Sequence, residues 1–293
     1  MSAQRLPSRR SRHQVKPSAG KRLGTFLRTP KGTMLLVLLG LVVIGSLGTS
    51  RPTWQVVLMS VLSASAVDIV AMLWKKGRWL FPSGAILTGM LIAMVLTRES
   101  NLAVVAVTAA LAVVLKHVIR TSWSNVFNPA ALALIVTAPL LHSGQSWWGG
   151  LPYIPVLGFL IVLAAGWYVA AKVNKLPLAL SYLASSLLIF TVASFGGAAG
   201  HAEQVFRAPD INALLFFACF MLTDPPTSPA RQGDQIWFGA VAGTIGAGVF
   251  LLTGVQWFIL AGLPASNAVE SLRRVAVARR RRLAARSTQR VPA

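Results

Sequence analysis

Thr33-Met34-Leu35-Leu36-Val37-Leu38-Leu39-Gly40-Leu41-Val42-Val43-Ile44-Gly45-Ser46-Leu47-Gly48-Thr49 carries no charged side chain, and the fold is decided by how that stretch is read. It approaches the roughly 20 apolar residues that an α-helix needs to cross a hydrocarbon core. Lipid offers no water to unpaired backbone groups, so such a run must be helical. Nine more apolar segments follow: 54–74, 81–97, 102–119, 127–141, 151–171, 177–194, 211–222, 236–253 and 255–268. The chain of 293 residues is 55% hydrophobic and 12% charged, against roughly 25% charged in a soluble domain. Its mean hydropathy is +0.64. That is more apolar sequence than one water-soluble core can bury, and it predicts an all-α integral membrane protein of about ten transmembrane helices.

Charge gives an independent test of the count. Residues 1–32 hold nine Lys/Arg and no acid, and residues 269–293 hold eight Arg and the single acid Glu270. Cytoplasmic flanks collect cations, so both tails belong inside. With ten spans, the inner loops hold Lys75, Lys76, Arg78, Lys116, Arg120, Lys172, Lys175 and Arg231. Only Arg51, Arg98 and Arg207 of the 28 cations fall outside. An odd count would strand one basic tail on the wrong side. The net charge of +21 therefore reads as topology signal and contact with anionic lipid, not as nucleic-acid binding. The long basic leader before Thr33, with no small-residue cleavage pattern after the first apolar run, predicts no cleavable signal peptide. The location expected is a bacterial plasma membrane, with both termini cytoplasmic.

Several segments are short and punctuated by proline. One follows Pro82, one opens at Asn128-Pro129, and one runs into Asp224-Pro225-Pro226. Short, Pro-interrupted segments at matching places in two halves point to broken helices around a central site. Residues 33–149 and 150–268 hold five segments each, and an odd number per half implies inverted topology. The domains expected are a basic tail (1–32), two five-helix repeats (33–149 and 150–268), and an Arg-rich tail (269–293).

Three polar clusters fall on the inner side in this topology: Ser83-Gly84 with Thr88; Asn125, Asn128 and Pro129; and Thr223, Asp224, Thr227 and Ser228. Two are helix starts, whose free N–H groups suit an electron-rich ligand atom. Each alone is an ordinary cap or turn; their convergence argues for a site. Asp68, inside the second span, faces a partner, water or ligand, or else pairs with Lys75 or Lys76 near the interface; a bare carboxylate there costs about 3 kcal/mol. Lys116 either snorkels to the cytoplasm or binds an anionic group. The lone Cys219 excludes a disulfide or Cys-rich metal site within the chain. His13, His117, His142 and His201 are scattered, with no bis-imidazole spacing for haem, and no nucleotide-binding fingerprint is present. Gly239, Gly243 and Gly246 form a small-residue stripe for close helix packing, and tryptophans such as Trp147, Trp148 and Trp237 collect at segment edges.

At these clusters the chain resembles a known family. Phe220-Met221-Leu222-Thr223-Asp224-Pro225-Pro226-Thr227-Ser228-Pro229 is similar to the FM-x-TDP-x-TSP signature of the RnfD-type membrane component of the Rnf electron-transport complex. The NqrB-type component of the sodium-translocating NADH:quinone reductase shares that signature. Asn125-Val126-Phe127-Asn128-Pro129-Ala130 resembles the N-x-FNPA motif, Lys116 stands where the family has a Gly-Lys, and Ser83 to Gly89 resembles a G-S-x-x-x-TG stretch. Asp68 falls near a family glutamate. The resemblance implies two inverted five-helix repeats like those of urea transporters. It implies riboflavin or FMN held non-covalently near Asn128, with Asn128 and Thr223 as hydrogen-bond partners and Lys116 and Asp224 tuning charge. It also implies partner redox subunits or flavoproteins and a quinone as a candidate acceptor, with Asp68 or Asp224 as proton sources. Covalent FMN is not expected: Ser83-Gly84-Ala85 is followed by Ile86, and Gly196-Gly197-Ala198-Ala199 lacks the family's threonine. The alternative left open is a small-solute or ion transporter of the same fold, since fold alone does not settle function.

Overall fold

In the computed structural model, residues 19–47, 53–77, 80–120, 125–196 and 202–288 are described. Arg51, Arg78, the Gly197-Ala198-Ala199 stretch and the outer parts of both tails, with His13 and His201, lie outside them. The described residues are helical, with no β-strand and only two isolated bridges, Leu96–Gln145 and Arg120–Asn125. Among them, eleven α-helices follow in order: α1 (Ala19–Arg28), α2 (Pro30–Leu47), α3 (Thr53–Lys76), α4 (Ser83–Val95), α5 (Leu102–Val118), α6 (Pro129–Leu141), α7 (Pro155–Lys172), α8 (Leu176–Phe195), α9 (Asp210–Phe216), α10 (Gln232–Thr253) and α11 (Phe258–Thr288). Each of the ten apolar segments carries one helix, α2 to α11.

Four of these, α2, α3, α8 and α10, are long and apolar enough to cross a membrane. They turn large apolar side chains outward, among them Leu36, Leu62, Val70, Leu188 and Val192. Water would penalise that surface at about 25 cal/mol per Å²; lipid does not. The short helices fill the centre instead. Met90 through Val95 of α4 and Leu96 after it are buried, and so is every residue from Ala213 to Leu222. The second run leaves the α-helical path: after α9, Phe217–Met221 winds as a π-turn, a distortion frequent at functional sites. It brings Phe217 against Tyr182, with ring centroids 5.2 Å apart.

Small residues let the backbones close. Ser60 Oγ donates to the Gly89 carbonyl at 2.7 Å where α3 crosses α4. Gly239 and Gly243 lie flat against Leu178, Tyr182 and Ser185 of α8, where a methyl group has no room. Two differences from the sequence expectation concern the tails. Part of the N-terminal basic tail is helical (α1), with Phe26 edge-on to Phe81 at 6.2 Å. The last span does not stop at residue 268 but runs unbroken into the Arg-rich tail as α11, because the stretch after Pro264 is built of helix-favouring Ala, Leu, Arg and Glu.

Candidate functional site

The bundle has two chemically distinct ends. At the basic end, Asp68 of α3 is 1% exposed and meets two side chains of α5: Lys116 Nζ at 3.1 Å and His117 Nε2 at 2.8 Å from Oδ1. The expected partner Lys75 donates instead to the His117 carbonyl at 3.2 Å, and the side chain of Lys76 lies outside the described ones. His117, set aside on spacing, is the residue that sequence reasoning missed here. The Lys116 ammonium also lies over Gly84 in the first turn of α4, where Thr88 Oγ1 donates back to the Gly84 carbonyl at 2.9 Å. A cation at a helix N-terminus opposes the macrodipole, so Asp68 is what makes that position tenable.

The second and third polar clusters meet although about 95 residues separate them. Asn128 caps α6, its Oδ1 accepting from Ala131 N–H at 3.1 Å, and its Nδ2 donates to the Met221 carbonyl at 3.0 Å. Asn267 of α11 bridges the pair, accepting from Asn128 N–H and donating to the Thr227 carbonyl, both at 3.1 Å. Pro129 occupies the first turn of α6, where its missing N–H costs nothing. Asn125 bridges to Arg120 ahead of the cap. Thr223 Oγ1 donates to Cys219 O at 2.6 Å. Thr227 Oγ1 donates to Asp224 Oδ2 at 3.2 Å, and Ser228 Oγ to Asp224 O at 2.8 Å.

The Pro-rich 225–229 loop is poor in N–H groups, so its carbonyls need donors from elsewhere. Arg274 supplies one to Ser228 O at 2.7 Å, and Lys175 donates to Pro229 O. Glu270 holds Arg274 and Arg273 at 2.8 Å each. Burial pushes the Glu270 carboxyl up, but its hydrogen bonds from Arg273 and Arg274 outweigh that and hold it below the ordinary carboxylate range. Burial, helped by the nearby charge of Arg274, lowers Lys175 to about 8. Burial raises Asp224 to about 6, against its Thr227 hydrogen bond and the fields of Lys31, Lys116 and Lys175.

The second and third clusters therefore converge, but the Asn128 amide and the Thr223, Thr227 and Ser228 hydroxyls are engaged within the chain. A ligand at this end would meet what remains: the ammonium of Lys116, one of whose three donors goes to Asp68, the first turn of α4 at Ser83 and Gly84, and the Asp224 carboxylate. Among the described residues no group of three or more His, Cys, Asp or Glu could hold a metal ion.

The opposite end is open. A cavity of about 810 Å³ is walled by Trp147, Tyr153, Phe250 and Phe258, with Gln145 and Asp210 among its polar groups. A second space of about 320 Å³ shares Gln145 and Gln256. The loop carrying Gln145 is pinned to the end of α4: Thr97 N–H donates to Gly144 O at 3.0 Å, and Ser146 and Trp147 N–H donate to Val95 O at 2.9 and 3.1 Å. Yet both polar atoms of the buried Gln145 amide and the Trp147 indole N–H lack a hydrogen-bond partner among the described residues. Each such atom costs about 1–3 kcal/mol. Trp147, His142 and Leu151 also hold positive φ, a strain that clusters at ligand sites. Nothing in the sequence singles out Gln145; a Gln between Gly144 and Ser146 reads as loop. A comparison with protein-family models and with curated proteins gives no match to this chain.

Proposed function

We propose that this chain is a membrane component of a flavin-dependent electron-transport system, similar to the RnfD-type protein and its NqrB-type counterpart in the sodium pump. The observation that carries the reading is the direct contact between the two stretches bearing the resemblance, Asn128 Nδ2 on Met221 O, with Asn267 tying the second to the first. A signature whose halves interlock is one structural unit, not two coincidences. The architecture proposed is ten spans in two inverted repeats, α2–α6 and α7–α11, in a bacterial plasma membrane with both termini cytoplasmic. In its support, α3 packs on α5 as α8 packs on α10, α5 on α6 as α10 on α11, and α2 on α4 as α7 on α9.

The group bound is riboflavin or FMN, non-covalently, and its chemistry is electron transfer to or from a partner flavoprotein or a quinone. Lys116 and Asp224 are the residues with capacity left to meet it and to set the charge around it, with Ser83, Gly84 and Thr88 flanking Lys116. Asn128, Pro129, Thr223, Thr227 and Ser228 fix the backbone that carries Asp224, while Asp68 holds Lys116. Asp224, raised to about 6 by burial, can exchange a proton near neutral pH when charge moves. A visible spectrum of the detergent-purified protein is the test: yellow material absorbing near roughly 450 nm is expected, without a fluorescent band after denaturing electrophoresis. Colourless protein overturns the reading.

A second reading, a small-solute transporter of the same architecture, draws on the 810 Å³ cavity at the far end, which has the form of an entry vestibule. Colourless protein that accelerates solute uptake into liposomes would establish it.

A further inference from the structure

We propose that the cavity at the far end of the bundle binds a small organic ammonium ion, with Asp210 as its counter-charge and Tyr153, Phe250 and Phe258 as its aromatic wall. The cavity lies at the opposite end from the Lys116–Asp224 cluster, and the proposal rests on neither functional reading. Its volume, about 810 Å³, falls in the range of small-molecule sites. Among the described residues, Asp210 is the one fixed charge on the lining. It opens α9 and is half-buried. Its carboxylate makes no hydrogen bond or ion pair among the described residues, and neither of its oxygens is one of the unpartnered atoms that the chain encloses. The carboxylate is therefore open to what enters. A first-turn acid is ordinary in a helix; what sets this one apart is that it lines a cavity and has no cation beside it. A carboxylate partly withdrawn from water is stabilised by an opposite charge brought within a few ångströms.

The walls select the kind of cation. The Phe250 and Phe258 rings lie 4.5 Å apart, centroid to centroid, and are inclined at 50°; Phe250 is half-buried, so part of it remains accessible. Ring faces attract cations, and aromatic cages are the recurrent receptors for quaternary ammonium groups. This end of the molecule already holds one cation in that way: the Arg98 guanidinium lies 5.0 Å from the centroid of Trp148 and 4.6 Å from that of Tyr153. Arg98 is not part of the cavity lining, so the charge there is that of Asp210. Gln204, Thr253 and Gln256 add exposed, neutral polar side chains, which suit a hydroxyl on the ligand.

Choline and 3,3-dimethylbutan-1-ol are matched probes, alike in shape, with a carbon in the second where the first has its charged nitrogen. Calorimetric titration of the full chain in a non-ionic detergent should show saturable choline binding, with the neutral alcohol weaker by about tenfold or more. Asp210→Asn, which keeps the shape and removes the charge, should weaken choline by about tenfold and leave the alcohol unchanged. Phe250→Leu, which removes a ring face, should weaken choline by about threefold and carries the test if Asp210→Asn does not fold. No saturable choline binding, equal affinity for the two probes, or choline binding indifferent to these substitutions would overturn the proposal.

Discussion

The two ends of the bundle invert the ordinary relation between sequence and site. At the basic end, Asn128, Thr223, Thr227 and Ser228 look like ligand contacts and are engaged with the chain itself. At the far end, Gln145 and Trp147 look like loop residues and carry polar atoms without partners among the described residues. A buried polar group left unpaired costs far more than a satisfied one gains. Those four residues at the first end have therefore spent their hydrogen bonds on rigidity, and Gln145 and Trp147 have not. A signature can thus mark the frame of a site, while the groups that would meet a ligand stand outside it.

The largest effect that would sharpen this contrast is expected at Asp68. Removing one partner of a buried ion pair costs about 3–5 kcal/mol, and Asp68→Ala leaves Lys116 over the N-terminus of α4 without its carboxylate partner. The drop should be measured by unfolding in detergent, and a double-mutant cycle with Lys116→Met should recover most of it. Additive losses would show that the pair contributes little. Asn128→Ala comes next. It removes a helix cap, worth about 1 kcal/mol, and leaves the buried Met221 carbonyl with only the long bond from Asp224 N–H at 3.5 Å, worth a further 1–3 kcal/mol or so, taken as roughly 2. A stability loss of about 3 kcal/mol is expected, so flavin content in this variant must be read on the folded fraction alone. A fully stable Asn128→Ala protein would place the frame elsewhere.

Acid should strengthen the same end. Asp224 sits near 6 in the folded chain, above its ordinary value of 3.8, so the folded state binds the extra proton. Stability is then greatest below about pH 4 as regards this group and falls as pH rises through 6. The change is about 3 kcal/mol. Lys175 acts in the opposite window: lowered to about 8 from 10.5, it makes the folded chain more stable as pH rises from 8 to 10.5. Unfolding measured across pH 4–7 should show the acid slope in the parent chain and a shallower one in Asp224→Asn. An unchanged slope in that variant would assign the titration to another group.

Much of the fold was legible because lipid demands long uncharged runs, and all ten of those marked in the sequence carry helices. The convergence of Asn128 with Thr223 and Thr227 was legible as well, since Pro-punctuated short helices leave polar ends that need one another. What resisted reading was pairing. Asp68 could be assigned to Lys75 by proximity along the chain, whereas helix packing delivers Lys116 and His117 from α5. Asn267 sits in an apolar segment and announces nothing, yet it joins α6 to the 225–229 loop. Gln145 gave no signal for a deeper reason: a missing hydrogen bond is a property of surroundings, and no pattern of residue types encodes it.

The smallest effect expected has the opposite sign and tests the contrast most directly. Gln145→Leu keeps most of the side-chain volume while deleting two buried polar atoms that have no partner among the described residues. Replacing such a group by an apolar one of similar shape is neutral or stabilising, so the variant should gain up to about 1 kcal/mol. The matching change at the other end, Thr223→Val, removes a hydroxyl that already donates to Cys219 O and should cost about 1 kcal/mol. Parallel unfolding curves for the two variants would then move in opposite directions. A loss of stability in Gln145→Leu comparable to that in Thr223→Val would mean that the amide is paired after all, and that both ends of the bundle are frame.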